Sequence, residues 1–129
     1  MSPHSILIVD DEANQRLMIE QALRALAYDW IISSAASGQD ALAALEVRTA
    51  DLIITDYNMP AMNGLELIGH VRKRRIPSRI ILITAYGSPE LYEAVQHLNI
   101  AHYLTKPVPL TLLRRLTIAV LEATPTRCV

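Results

Sequence analysis

A single cysteine, Cys128, occurs in the 129 residues, so no intramolecular disulfide supports the fold and a reducing compartment is expected. No apolar run approaches the roughly 20 residues that a membrane-spanning helix needs, and no basic N-terminal stretch precedes a long apolar segment. Secretion and membrane insertion are therefore not expected, and the cytoplasm is the expected location. An excess of charge is lacking too: 12 Lys and Arg against 13 Asp and Glu leave a formal charge of -1, which gives no global reason for nucleic acid or an anionic membrane as partner. The chain has only four glycines, and no stretch resembles a glycine-rich loop that cradles phosphate, which argues against a flavodoxin-like cofactor binder. The histidines (His4, His70, His97 and His102) are scattered and form no ligand pattern with Cys128, which disfavours zinc.

What is present is the material of one globular domain. Hydrophobic residues make up 51% of the chain and charged residues 19%. Short β-branched runs alternate with stretches of helical period, the pattern of α/β units on a parallel sheet. Five strands are expected, at about Ser5–Val9, Trp30–Ser34, Leu52–Thr55, Arg79–Ile83 and Ala101–Thr105. Their near-continuous hydrophobicity suits strands covered by helices on both faces. Five helices follow from spacing, as with Met18, Ala22 and Leu26 in the first and Leu113, Leu116 and Val120 in the fifth. Ser37, Asn63 and Ser88, the last followed by Pro89, supply start signals for the second, third and fourth. There is no internal repeat, and residues 124–129 lack helical pattern, as a tail or the start of a linker would.

Polar residues close four of the apolar runs: Asp10-Asp11, Asp56, Thr84 and Lys106. In an open α/β sheet, ligands bind beyond the carboxyl ends of the strands. Three carboxylates within about 4 Å of one another would repel by roughly 4 kcal/mol per pair at an effective dielectric near 20. A divalent cation removes that cost, and Mg²⁺ fits hard oxygen ligands completed by water and phosphate. Asp56 is then placed as a carboxylate nucleophile toward phosphorus, with Lys106 and Thr84 contacting phosphoryl oxygens.

The ordered set Ile6-Leu7-Ile8-Val9-Asp10-Asp11-Glu12, Ser37-Gly38, Asp56-Tyr57-Asn58-Met59-Pro60 with Asn63-Gly64, Thr84-Ala85 and Tyr103-Leu104-Thr105-Lys106-Pro107 resembles the receiver domain of two-component response regulators. The resemblance runs nearly end to end and sets the receiver domain at residues 4–123. It implies a doubly wound, flavodoxin-like α/β fold with a five-stranded parallel sheet in the order 2-1-3-4-5, a fold for which a chemotaxis relative is a standard example. It also implies that Asp10, Asp11, Asp56 and the backbone carbonyl of Asn58 hold Mg²⁺. Asp56 accepts a phosphoryl group from the phosphohistidine of a sensor histidine kinase or a phosphotransfer protein. Thr84 and Tyr103 form a switch pair, and Lys106-Pro107 is a cis peptide that aims the lysine into the site. The output surface is the fourth helix, fifth strand and fifth helix. A phosphorylation-dependent homodimer is compatible with this reading, and the downstream effector is left open.

Two glycines usual in the family are replaced, by Asp29 and Ile100, and Asn99 is expected to supply the left-handed helix cap instead. Tyr86 is expected to screen the phosphoryl group from water. A signalling acceptor is expected rather than a turnover enzyme: an aspartate-dependent phosphatase would carry a second acid two residues after the nucleophile, where this chain has Asn58. The alternative is a receiver-like module that binds proteins without phosphorylation, although the acceptor, acid pair and lysine are all retained. The run Arg72-Lys73-Arg74-Arg75 is read as closing the third helix at the negative end of its dipole, in preference to a nucleic-acid patch.

Overall fold

A computed structural model describes residues 3–123. Cys128 and the tail at 124–129 lie outside the described residues. The elements alternate as β1 (Ser5–Val9), α1 (Ala13–Arg24), β2 (Ile31–Ala35), α2 (Gly38–Val47), β3 (Leu52–Asp56), α3 (Gly64–Lys73), β4 (Arg79–Thr84), α4 (Pro89–Gln96), β5 (His102–Thr105) and α5 (Leu110–Ala123). All strand pairs are parallel, in the expected order β2-β1-β3-β4-β5.

Strand order decides which face each helix covers. The β1-to-β2 crossover runs one way along the sheet, whereas those from β2 to β3, β3 to β4 and β4 to β5 run the other. Crossovers of one hand therefore place α1 on one face and α2, α3 and α4 on the opposite face. The two cores show this division, with alternate strand residues feeding each. Leu7, Val9, Ile53, Ile80 and Leu82 pack with α2, α3 and α4, and Ile6, Ile8, Ile54, Ile81 and Ile83 pack with α1 and α5.

Local chemistry starts three helices as the sequence expects. The Ser37 hydroxyl accepts from the Asp40 amide at 3.0 Å, and the Ser88 hydroxyl from the Leu91 amide at 3.0 Å. Asn63 and Glu66 form a reciprocal capping box that satisfies two otherwise unpaired amides. Asn99 sits at φ 54°, the left-handed cap expected of it.

Two glycines of α3 contrast. A Cβ on Gly64 would lie 2.5 Å from the Asp56 carbonyl oxygen and 2.9 Å from the Tyr57 Cα, both backbone atoms that cannot yield cheaply, whereas a Cβ on Gly69 would meet nothing within 4 Å. Gly64→Ala is accordingly expected to cost about 2 kcal/mol or more. Gly69→Ala, mid-helix and unobstructed, is expected to stabilise by about 0.5–1 kcal/mol. Urea denaturation of the two variants checks this, and equal effects would mean that close backbone approach does not govern the start of α3.

Candidate functional site

The order reverses at β1, where the chain leaves toward β2 and later returns to β3. The carboxyl ends of β1 and β3 consequently open a crevice that no crossover fills. Val9 pairs with Thr55, so Asp10 and Asp56 emerge side by side. Asp10, Asp11 and Asp56 each bring a carboxylate oxygen within 4.8 Å of the others. Asp10 and Asp56 are each only 5% exposed, and Asp11 is exposed.

The Asp10 carboxylate accepts from the Glu12 amide at 2.9 Å, and Arg16 Nη1 donates to the Asp10 carbonyl at 2.6 Å, tying the first turn of α1 to the end of β1. Arg16 was not singled out by the sequence. Its role depends on the path of the β1–α1 turn, which no motif encodes. Lys106 Nζ lies 2.9 Å from the buried Asp56 Oδ1 as an ion pair, and among the described residues no other group donates a hydrogen bond to that oxygen. The peptide between Lys106 and Pro107 is cis, as expected.

These charges shift one another. Burial holds the Asp10 carboxyl above its ordinary value near 3.8; the Asp56 and Asp11 charges add to this, against the Glu12 amide and Lys106. Burial pulls the Lys106 ammonium down, but Asp56, with Asp10 and Glu12 behind it, outweighs that and leaves it above 10.5.

For Asp10 the folded protein keeps a proton that the unfolded chain has released. The associated stability is full below about pH 3.8 and is lost as pH rises through the higher folded value. At neutral pH the metal-free protein therefore carries a destabilising charge. Asp10→Asn is expected to raise metal-free stability at pH 7 by about 1–2 kcal/mol, or several degrees in Tm, with the gain shrinking toward pH 4. Scanning calorimetry across pH measures it; a variant less stable than the parent at pH 7 would contradict the strain assigned to this carboxylate.

The oxygens fit Mg²⁺ chemically. Three hard oxygen donors converge within 4.8 Å of one another, and one oxygen of Asp56 is buried without a hydrogen-bond partner among the described residues, a donor set that would hold such a cation. Asn58 lies exposed in the loop after β3.

Thr84 and Tyr103 close the other side. Thr84 is fully buried, and its hydroxyl donates to the Tyr86 carbonyl at 3.2 Å while accepting from the Tyr86 amide at 3.3 Å. The Tyr103 ring packs against the α2–α4 core and meets Tyr92 edge-on at 5.7 Å, its hydroxyl buried without a hydrogen-bond partner among the described residues. A Cβ on Gly87 would come within 2.9 Å of that hydroxyl, a close approach for which the sequence offered no signal. Tyr86 is 85% exposed at the rim of a cavity of about 480 Å³ that Asp10, Asp56 and Lys106 also line, so screening a phosphoryl group requires its ring to swing inward.

A doubly wound sheet whose carboxyl pole gathers three acids, a lysine and a buried threonine defines a phosphate-handling α/β domain of the receiver class. The family model described as the response regulator receiver domain matches residues 6–117, and the chain belongs to that family. It is 32% identical over 105 residues to the transcriptional regulatory protein PdtaR of Mycobacterium tuberculosis, covering 81% of this chain and 50% of that protein. It is 37% identical over 124 residues to the response regulator protein PilR of Pseudomonas aeruginosa, covering 95% and 27% respectively. The chain thus spans half or less of the length of these relatives. Among solved structures, the chemotaxis protein CheY4 of Vibrio cholerae aligns with a TM-score of 0.83 at 30% identity, covering 92% of this chain and 99% of that one. A response regulator receiver protein from Pseudomonas putida aligns with a TM-score of 0.84 at 29% identity, covering 92% and 98%. As a receiver domain, the chain is consistent with a two-component phosphorelay switch, and a phosphorylation-independent module is not favoured. Among the described residues no helix is long and apolar enough to cross a membrane.

Proposed function

We propose that residues 4–123 form a switch that takes a phosphoryl group onto Asp56 and signals through the α4–β5–α5 surface. The observation that carries this is the convergence of the buried Asp56 with Asp10, Asp11 and Lys106. In the transfer, an Asp56 oxygen forms the new P–O bond while the P–N bond of the donor phosphohistidine breaks. The imidazole leaves with the electron pair and regains a proton from water. Asp10, Asp11, Asp56 and the Asn58 carbonyl would hold Mg²⁺, which when bound neutralises negative charge on the carboxylates and phosphoryl oxygens. Lys106 keeps a fixed positive charge beside the acceptor, where charge on the transferred group is stabilised.

Thr84 is the sensor in this reading. Its bonds to the Tyr86 backbone are neutral and long, so a phosphoryl group with three acceptor oxygens and 1.5 to 2 negative charges competes for the hydroxyl. Moving the hydroxyl re-forms the β4–α4 turn, and the inward Tyr103 ring fills the space behind it. Shifting such a switch from 1:99 to 99:1 takes about 5.5 kcal/mol of differential interaction, within reach of a few charge-assisted bonds. The donor is a sensor histidine kinase or phosphotransfer protein in the cytoplasm, and the domain itself is not a turnover enzyme.

The test is incubation with acetyl phosphate and Mg²⁺, followed by intact mass and peptide mapping. One labile phosphoryl adduct on Asp56 is expected; an adduct on another residue, or none, would overturn the assignment. Gel filtration of the same samples reports whether phosphorylation drives homodimer formation.

A further inference from the structure

The run Arg72-Lys73-Arg74-Arg75 has only part of its role at the end of α3. Arg72 and Lys73 do occupy the last turn, where cations favour the dipole. Arg74 lies 3.6 Å from Glu46. Arg72, however, turns back onto the protein and spends four of its five N–H donors on backbone carbonyls: Nε on Leu98 at 2.9 Å, Nη1 on Ile76 at 3.1 Å and Ser78 at 2.9 Å, and Nη2 on Asn99 at 3.1 Å. A guanidinium so held is rigid, and it joins the α3–β4 turn to the α4–β5 turn.

Around it lies an open cavity of about 640 Å³ at the amino pole of the sheet, opposite the phosphorylation crevice. Arg72, Arg75, Arg79 and His97 line it, and among the described residues no acidic one does. Arg75 is presented from a left-handed backbone at φ 60°, and among the described residues no ion pair joins Arg75 or Arg79 to a carboxylate. Burial, and then the Arg79 charge, hold the Arg72 guanidinium below its ordinary value. Ile76, Pro77, Leu98 and Ile100 give the remaining wall an apolar character.

We propose that this cavity is an anion site for a small ligand bearing a di- or triphosphate group. Phosphate oxygens suit the planar forks of Arg75 and Arg79, which are free to close on them, while Arg72 fixes the position of both turns and leaves one N–H for the ligand. A di- or triphosphate carries more charge and spans a greater length than a single phosphate, so it can reach Arg75 and Arg79 together, and the concave, partly apolar wall favours a compact ligand over an extended polymer.

The site is tested by titrating metal-free protein at low salt with inorganic pyrophosphate and tripolyphosphate, followed by NMR shifts of backbone amides and by calorimetry. Binding at about 1 mM or tighter is expected, with shifts centred on residues 75–79 and 97–101 and at least tenfold weaker binding of monophosphate. The double variant Arg75→Gln/Arg79→Gln is expected to lose at least tenfold in pyrophosphate affinity while still taking up phosphoryl from acetyl phosphate at the parental rate. Lys106→Met is expected to bind pyrophosphate as the parent does. Parental affinity in the double variant, loss of binding in Lys106→Met, or shifts centred on residues 10 and 56 would place the anion at the phosphorylation crevice and overturn the proposal. Single-stranded RNA binding to the parent and not to the double variant, without pyrophosphate binding, would overturn it in favour of nucleic acid.

Discussion

Asp56→Asn is expected to take up phosphoryl from acetyl phosphate more slowly than the parent by about 1,000-fold or more while remaining folded, because the activated nucleophile is lost. A carboxylate oxygen is replaced by an amide oxygen, which attacks phosphorus poorly, whereas the size and the acceptor facing Lys106 are kept. Asp10 and Asp11 lie within 4.8 Å and are, among the described residues, the other carboxylates of the cluster, so any residual adduct is expected on them. Removing one of three carboxylates also lowers Mg²⁺ affinity, by roughly tenfold per 1.4 kcal/mol of lost attraction. Time-resolved intact mass gives the rate. An adduct formed at the parental rate would remove Asp56 from the chemistry.

Lys106→Met is expected to separate binding from transfer. The ammonium lies 2.9 Å from Asp56 Oδ1, so it competes with a cation for the same oxygens. Its loss is expected to tighten Mg²⁺ binding by about tenfold and yet to slow phosphoryl uptake by about 100-fold or more, because a preorganised positive charge beside the transferred group is gone. The metal-free variant is also expected to lose about 2 kcal/mol of stability at pH 7, since Asp56 stays buried with no cation beside it; partial exposure of the lysine keeps this below the cost of breaking a fully buried pair. The pH sign is opposite to a carboxylate held below its ordinary value: the lysine lies above 10.5 in the folded protein, so its contribution is full below that pH and is lost as pH rises through the folded value. Calorimetry with Mg²⁺ and phosphorylation kinetics decide the matter. Weaker Mg²⁺ binding, or uptake at the parental rate, would contradict the competing role given to this lysine.

The fold was legible where burial is two-sided. The central strands β1, β3 and β4 begin at Ser5, Leu52 and Arg79 as the sequence predicts, because helices cover both faces of the apolar run, although β3 and β4 each continue one residue further than expected, through the polar Asp56 and Thr84. The edge strands slip by one residue. β2 begins at Ile31 rather than Trp30 and β5 at His102 rather than Ala101, since a half-buried edge strand takes its limits from hydrogen bonds to one neighbour rather than from its own pattern. The caps at Ser37, Asn63 and Ser88 were legible because a capping bond spans only three residues.

Of the candidate site, the sequence named residues but not their engagements in the fold. That Thr84 is bonded to the Tyr86 backbone, that the Tyr103 hydroxyl is buried beside Gly87, and that Arg16 holds the Asp10 carbonyl all depend on loop paths. The basic run illustrates the same limit. Its composition is compatible with a helix end or a charged patch, and only the backward turn of Arg72 onto carbonyls 26 and 27 residues away shows that it is also a clamp.

The sequence by itself determined the alternation of strands and helices, the polar residues that end the strands and the family to which they correspond, because these reside in hydrophobic period and in short ordered motifs. Tertiary structure alone decided that Asp10, Asp11 and Asp56 share one crevice with Lys106, and that arginines unabsorbed by that chemistry gather at the opposite pole. The reason is strand order. Residues tens of positions apart become neighbours only when β1 is inserted between β2 and β3, and that insertion sets apart the carboxyl and amino poles on which the two sets of charge collect.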